Sequence, residues 1–306
     1  MAVVPPRPTP AAFRRRPVGT GRLSTVVLLA PACLLFGIFV LYPIGASLVL
    51  SLQDWDGVGM RRFVGLANYR ELFQDPVFWT ALGNNLRWLA CYAIAPVAGL
   101  ALALLLYQAL PGMRLIRSLF FMPFVLSQVV VGLVFGWFFH SRLGLLNALL
   151  GATGLGPVAP LDSERWALYA MIVAGLWPQI AYCLILYLTG LATLDHAQID
   201  AGRVDGARGA TLLRHIVLPQ LRPILFIVAM VCAVAALRSF DYVMIMTLGG
   251  PFDSSTTLAY YMYEQTFLGQ RYGYGAAVAT VLLLLMGGII LGLLWRLVRR
   301  EAASAE

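Results

Sequence analysis

The chain has 306 residues, 60% of them hydrophobic and only 12% charged, with a mean hydropathy of +0.80. Soluble globular chains are about half apolar and a quarter charged, so that class is excluded. The net charge of +8 comes from 22 basic residues, all arginine; they gather at the ends of apolar runs, which makes the charge a topology signal and sets nucleic acid aside as a partner.

In chain order, Pro5, Pro6, Pro8, Pro10 and Pro17 among arginines mark residues 1–23 as a disordered tail. Leu29-Ala30-Pro31-Ala32-Cys33 has the look of a lipoprotein cleavage site, but the apolar run continues to about residue 52, so a first, uncleaved span is expected over 24–50. An outer loop follows, with a short interfacial helix expected in its NYRELF stretch and Trp79 as an anchor. A second span is expected over 81–107, an inner turn at Pro111-Gly112, and a third span over 115–140. A Gly-rich outer loop leads to a fourth span over 166–190. A polar insert at 193–222 comes next, then a fifth span over 223–246 and a sixth over 274–298, with 299–306 as a C-terminal tail. The pattern predicts an all-α integral membrane protein whose six transmembrane helices form one domain over 24–298. With the N-terminus inside, fourteen arginines fall on inner segments and six on outer loops, so both termini are expected in the cytoplasm. Cys33, Cys91, Cys183 and Cys232 lie singly within apolar runs and read as packing residues. Residues 24–140 and 166–298 show no strong repeat, which counts against the inverted-repeat secondary transporters.

The insert is the anomaly. Residues 197–216 read as helix by composition, Asp195 is placed to cap it, and Leu218-Pro219 followed by Pro223 ends it. Each glycine costs such a helix about 1 kcal/mol relative to alanine. A helix that accepts this cost suits close backbone approach to a partner; a solvated loop whose arginines serve topology explains the residues equally well.

Asp200-Ala201-Gly202, Gly206, then Ile216, Leu218 and Pro219 at the matching spacing resemble the EAA loop of binding-protein-dependent ABC importers. Asp200 stands in place of the usual Glu and Gly202 in place of the second Ala, and Asp205-Gly206-Ala207 has the form common in the sugar-importer branch. The stretch LRSFDYVMIMTLGGPFDSSTTLAYYMYEQTFLGQRYGYGAAVA, the outer loop and the third span are similar to maltose-type (MalF-like) carbohydrate permeases, so that the resemblance covers nearly all of 24–298. It implies type I ABC importer permease architecture. It also implies an ATPase-coupling element built from Asp200, Ala201, Gly202, Arg203, Asp205, Gly206, Ala207, Ile216, Leu218 and Pro219. The partners it implies are a second, MalG-like permease, two cytoplasmic ATPase subunits that bind ATP and Mg, and an extracytoplasmic binding protein, all set in membrane lipid.

Ionisable groups within a span are functional or paired. Arg238 and Asp241, three residues apart in the fifth span, either neutralise each other or line a pathway. Gln128, Gln179, Tyr182, Asn84 and Asn85 are further polar groups within spans, and sugar sites need such groups beside aromatic faces. The resemblance places substrate contacts near Phe124, Gln128, Gln179, Tyr182 and Ser239. His140 and His215 have no metal-site company. No Walker A motif, nucleophile elbow or HExxH occurs, so no catalysis and no cofactor are expected of this chain. The expectation is a sugar or oligosaccharide importer subunit. A glycerophosphodiester or polyol-like cargo is the alternative, and an autonomous ion-coupled transporter the remoter one.

Overall fold

The structure, a computed structural model, describes residues 22–108 and 111–305. The expected disordered tail lies outside these residues, apart from its last two, which begin a helix. The chain divides into a unit ending at Ala46 and a unit beginning at Ser47. The first holds α1 (Arg22–Phe36), a single π turn (Gly37–Leu41) and most of α2 (Tyr42–Leu50).

The second unit opens with a minimal antiparallel pair, β1 (Gln53–Asp54) and β2 (Arg62–Phe63), and with α3 (Ala67–Gln74), which is the expected NYRELF helix. The Asp75 carboxylate accepts from the Val77 N–H at 2.8 Å and so caps α4 (Pro76–Tyr92), whose first residue is a proline with no N–H to leave unpaired. With α5 (Ile94–Leu106), α4 forms one span, Pro76–Leu106. After α6 (Met113–Val125), α7 (Gln128–Phe138) and a short α8 (Leu145–Ala152) comes the long span α9 (Ala167–Leu191). The polar insert holds α10 (His196–Val204), α11 (Ala210–Leu212), a π turn (Leu213–Val217) and α12 (Leu218–Gln220). Then come α13 (Arg222–Leu237), α14 (Asp241–Met246), α15 (Leu258–Tyr263), a π turn (Glu264–Leu268) and α16 (Tyr272–Ala305).

Among the described residues, five helices are long and apolar enough to cross a membrane, and the bent pair α6 and α7 brings the number to six when counted as one span. The third span is therefore not the continuous helix expected over 115–140: its halves meet at 93°. Pro123 lacks the N–H that would bind back along α6, and Leu126 and Ser127 are extended, with the Ser127 hydroxyl accepting from the Val130 N–H to start α7. The fifth span is also interrupted, between Leu237 and Asp241. The insert is two helical pieces rather than one, because Gly206 (φ +88°) and Gly209 (φ +53°) adopt left-handed backbone that ends α10 and starts α11. The Gly-rich outer loop contains α8, the loop after α14 contains α15, and the last helix runs past 298 to Ala305.

Three buried clusters hold the second unit together. One joins α5, α9, the insert and α13 through Leu184, Tyr187, Leu191, Val217 and Leu221. The second joins α4, α7, α9, α14 and α15 around Trp88, Met171 and Tyr242. The third packs α3, α4 and α15 on α16 around Leu72, Phe78, Tyr261 and Val278. At the contact of α5 with α9, a Cβ on Gly99 would lie 2.5 Å from Cys183 Cβ and 3.1 Å from the Leu184 backbone nitrogen, so the pair closes only over a glycine.

Candidate functional site

Three places in the second unit bear on function: a bracket at one end, a cavity between broken helices, and the insert at the other end. The bracket is built on Asn84 and Asn85, both fully buried. Asn84 Nδ2 donates to the carbonyls of Ser254 (2.7 Å) and Thr256 (2.8 Å). Asn85 Nδ2 donates to the Leu237 carbonyl at 3.2 Å while its Oδ1 accepts from the Leu258 N–H at 2.8 Å. These amides, read from sequence as possible sugar contacts, instead pin the 247–257 loop and the end of α13 to α4. Ser255, Thr256 and Thr257 are likewise buried completely, and Thr257 Oγ1 donates to the Ser239 carbonyl at 2.8 Å. Nearby, Asp75 accepts from Tyr261 and Tyr274, and burial followed by that bond to Asp75 pushes the Tyr261 hydroxyl pKa upward. Burial, with the Asp253 charge second, also raises the Glu264 pKa from its ordinary value.

The cavity, about 430 Å³, is lined by Gln128, Val231, Val234, Arg238, Asp241 and Ile290 among others. Gln128 is the first residue of α7 and Asp241 the first of α14. Both interrupted spans thus break at one cavity. Irregular backbone at membrane depth is tolerated only where it is buried in protein or lines such a space. Arg238 and Asp241 form no ion pair with each other: among the described residues the salt bridges are Arg203–Asp200 and Arg271–Glu71. The break in the helix between them removes the i, i+3 geometry on which mutual neutralisation depended.

The other residues implied by resemblance do not all join this group. Phe124 on α6 stacks on Tyr182 of α9, with centroids 4.8 Å apart and planes 10° apart. Gln179 Nε2 donates to Cys232 Sγ at 3.3 Å, and Cys232 Sγ lies 3.4 Å from Cys183 Sγ; all four cysteines are free. Ser239 is buried behind the loop, with its hydroxyl unpartnered among the described residues, and does not line the cavity. His140 Nδ1 accepts from the backbone N–H groups of Arg142 and Leu143 at 3.2 Å each, a turn-stabilising role, and the described residues hold no group of metal-ligating side chains.

On the insert, the expected Asp195 cap forms: its carboxylate accepts from the Ala197 N–H at 2.9 Å. Ile199 and Gly202 face inward, and a Cβ on Gly202 would meet the tip of Ile216. Gly202 and Ile216 therefore pack α10 onto the following helix, and Leu218 and Pro219 are half-buried in the same foot. Gln220 ties the two ends of the insert together, Oε1 accepting from the Asp195 N–H at 2.9 Å and Nε2 donating to Gln198 at 3.2 Å. The outward face carries Asp200, Ala201, Arg203, Asp205 and Gly206, with Ala207 half-buried and Asp200 bonded to Arg203 at 3.1 Å. Val204, 88% exposed among these charges, is the apolar residue that the motif did not single out. Its signal was available: one large hydrophobe at the end of an otherwise polar stretch.

Residues 95–303 match the family described as the binding-protein-dependent transport system inner membrane component. The chain belongs to that family. A probable ABC transporter permease protein of Pyrococcus horikoshii is 35% identical over 88% of this chain and 94% of its own length. The sulfoquinovosyl glycerol transport system permease protein of Agrobacterium fabrum is 34% identical over 85% of this chain and 86% of its own. A chain of a bacterial ABC transporter involved in importing the acidic polysaccharide alginate superposes with a TM-score of 0.78 over 90% of this chain and 95% of that one. At 20% identity, that likeness is one of fold. This binding-protein-dependent permease is thus a multi-pass inner-membrane component with the type I ABC importer fold, and is not itself the catalytic chain.

Proposed function

We propose that this permease forms half of the translocation pathway of an ATP-driven importer for a sugar or oligosaccharide, and that α10 is its handle on a separate ATPase chain. The observation that carries the reading is the construction of α10: an inner face sealed onto the foot of α13 by Ile199 and Gly202, and an outer face that is charged, exposed and tipped by Val204. A helix of this kind fits a groove on a partner, the apolar tip seated within and the charges at the rim. Asp200, Ala201, Arg203, Asp205, Gly206 and Ala207 make that contact in this reading, while Gly202, Ile216, Leu218 and Pro219 transmit it. Leu194, Ile199, Val217 and Leu221 share one buried cluster with Tyr187 and Leu191. Displacement of α10 therefore carries the inner ends of α9 and α13 with it as a body, because packed interfaces shift between discrete arrangements. ATP and Mg act in the partner; two such ATPase subunits, a second MalG-like permease and an extracytoplasmic binding protein complete the assembly. Both termini lie on the cytoplasmic side with α10.

The cavity bearing Gln128, Arg238 and Asp241 supplies donors and acceptors to sugar hydroxyls, with the Phe124–Tyr182 stack, Gln179 and Ser239 shaping the surrounding helices. The sulfoquinovosyl glycerol transport system permease protein among the relatives supports a polyhydroxy cargo. Arg238, which has no ion pair among the described residues, also favours the second reading, in which the cargo is a polyol bearing an acidic group. Uptake into proteoliposomes tests the function: the complete assembly with ATP takes up the sugar presented by its binding protein, and the purified single chain takes up none. Uptake by the single chain driven by an ion gradient overturns the reading in favour of an autonomous transporter.

A further inference from the structure

A second cavity, about 320 Å³, lies between the foot of α13 and the distal part of α16, away from the cavity at Gln128. Arg214 and Arg222 stand on its wall together with Leu225, Phe226, Ala229 and Leu293. Both arginines are exposed, and neither takes part in an ion pair or a side-chain hydrogen bond among the described residues. Arg214 sits in the π turn that joins the insert to α13, and Arg222 is the first residue of the membrane span. Arg222 thus stands where a span begins, with Arg214 beside it on the cavity wall, and the apolar walls run from them along that span.

We propose that this groove binds an anionic phospholipid, its phosphodiester held by Arg214 and Arg222 and an acyl chain laid along Leu225, Phe226, Ala229 and Leu293. Charge complementarity selects the occupant: planar guanidinium donors match phosphate oxygens, and basic pockets between membrane helices take acidic headgroups. A soluble phosphate compound would leave the apolar walls unused, and a zwitterionic lipid would bring its own cation against the arginines. Assignment to the cytoplasmic leaflet rests on the topology proposed above; the site does not.

Native mass spectrometry of the purified full chain in detergent tests the site, with dioleoyl-phosphatidylglycerol and dioleoyl-phosphatidylcholine offered in equal amounts. The wild type retains phosphatidylglycerol preferentially. Arg214→Gln with Arg222→Gln lowers that binding about twenty-five-fold, an arginine near an acidic membrane surface contributing on the order of fivefold each. Ala229→Trp, which keeps both charges and fills the apolar wall, also lowers it, and Arg61→Gln does not. Because Ala229→Trp and the double variant perturb the protein in different ways, their agreement in folded, monodisperse protein identifies the groove. Equal retention of the two lipids by the wild type, undiminished phosphatidylglycerol binding in the double variant, or its displacement by excess inorganic phosphate overturns the proposal.

Discussion

The bracket around Asn84 and Asn85 and the insert around α10 are both polar stretches in a largely apolar chain, yet the structure treats them in opposite ways. In the bracket, two amides are fully desolvated and every carbonyl they meet belongs to a distant segment. In the insert, the charged groups stay in water and the sealed positions are Leu194, Ile199, Gly202, Val217 and Leu221. Buried amides bind strongly and cannot be moved without leaving unpaired donors, whereas an exposed helix on an apolar hinge can move as a unit. In the proposed function, the bracket is frame and the insert is handle.

The contrast breaks first at Asn85. Asn85→Ala strands the Leu258 N–H in a dry interior, so it lowers stability by about 3 kcal/mol, read as a shifted denaturation midpoint of the purified chain. Gly99→Ala tests the frame at the α5–α9 contact, where backbone blocks any retreat. It costs about 2 kcal/mol by the same measurement. Glu264 sharpens the electrostatics of the frame. Its folded pKa is raised, so the stability it contributes is complete below the ordinary carboxylate range and is lost as pH rises through the folded value. Glu264→Gln is therefore more stable than wild type at neutral pH by about a few tenths of a kcal/mol, the group being partly exposed to screening. The difference closes as a pH series descends into the ordinary carboxylate range. Val204→Asp sits at the opposite extreme: an exposed handle residue changes the denaturation midpoint by less than about 0.5 kcal/mol.

Much of the architecture was legible because long apolar runs and caps are local signals. Asp195 capping α10 and the NYRELF helix are examples. The broken third span was not, since Pro123 and Ser127 sit inside an apolar run that length alone reads as one helix. The candidate site was legible in part. Gln128, Arg238 and Asp241 converge on a cavity, and Phe124 meets Tyr182. The supposed neutralisation of Arg238 by Asp241 failed on a helix break that spacing cannot show. Asn84 and Asn85 were misread because their backbone partners lie some 150 residues or more away along the chain, where no periodicity points. Val204 escaped because a motif names the positions that a family shares and passes over the exposed hydrophobe beside them.

The most direct test of the handle is co-purification. The tagged chain is expressed with the proteins encoded beside it, as wild type and as Asp200→Arg with Val204→Asp, two exposed substitutions that spare the fold. The expected result is that an ATPase chain comes down with wild type and is lost from the variant, while the second permease stays in both. An ATPase retained equally by the variant, or absent from wild type, contradicts the claim that α10 couples this permease to ATP.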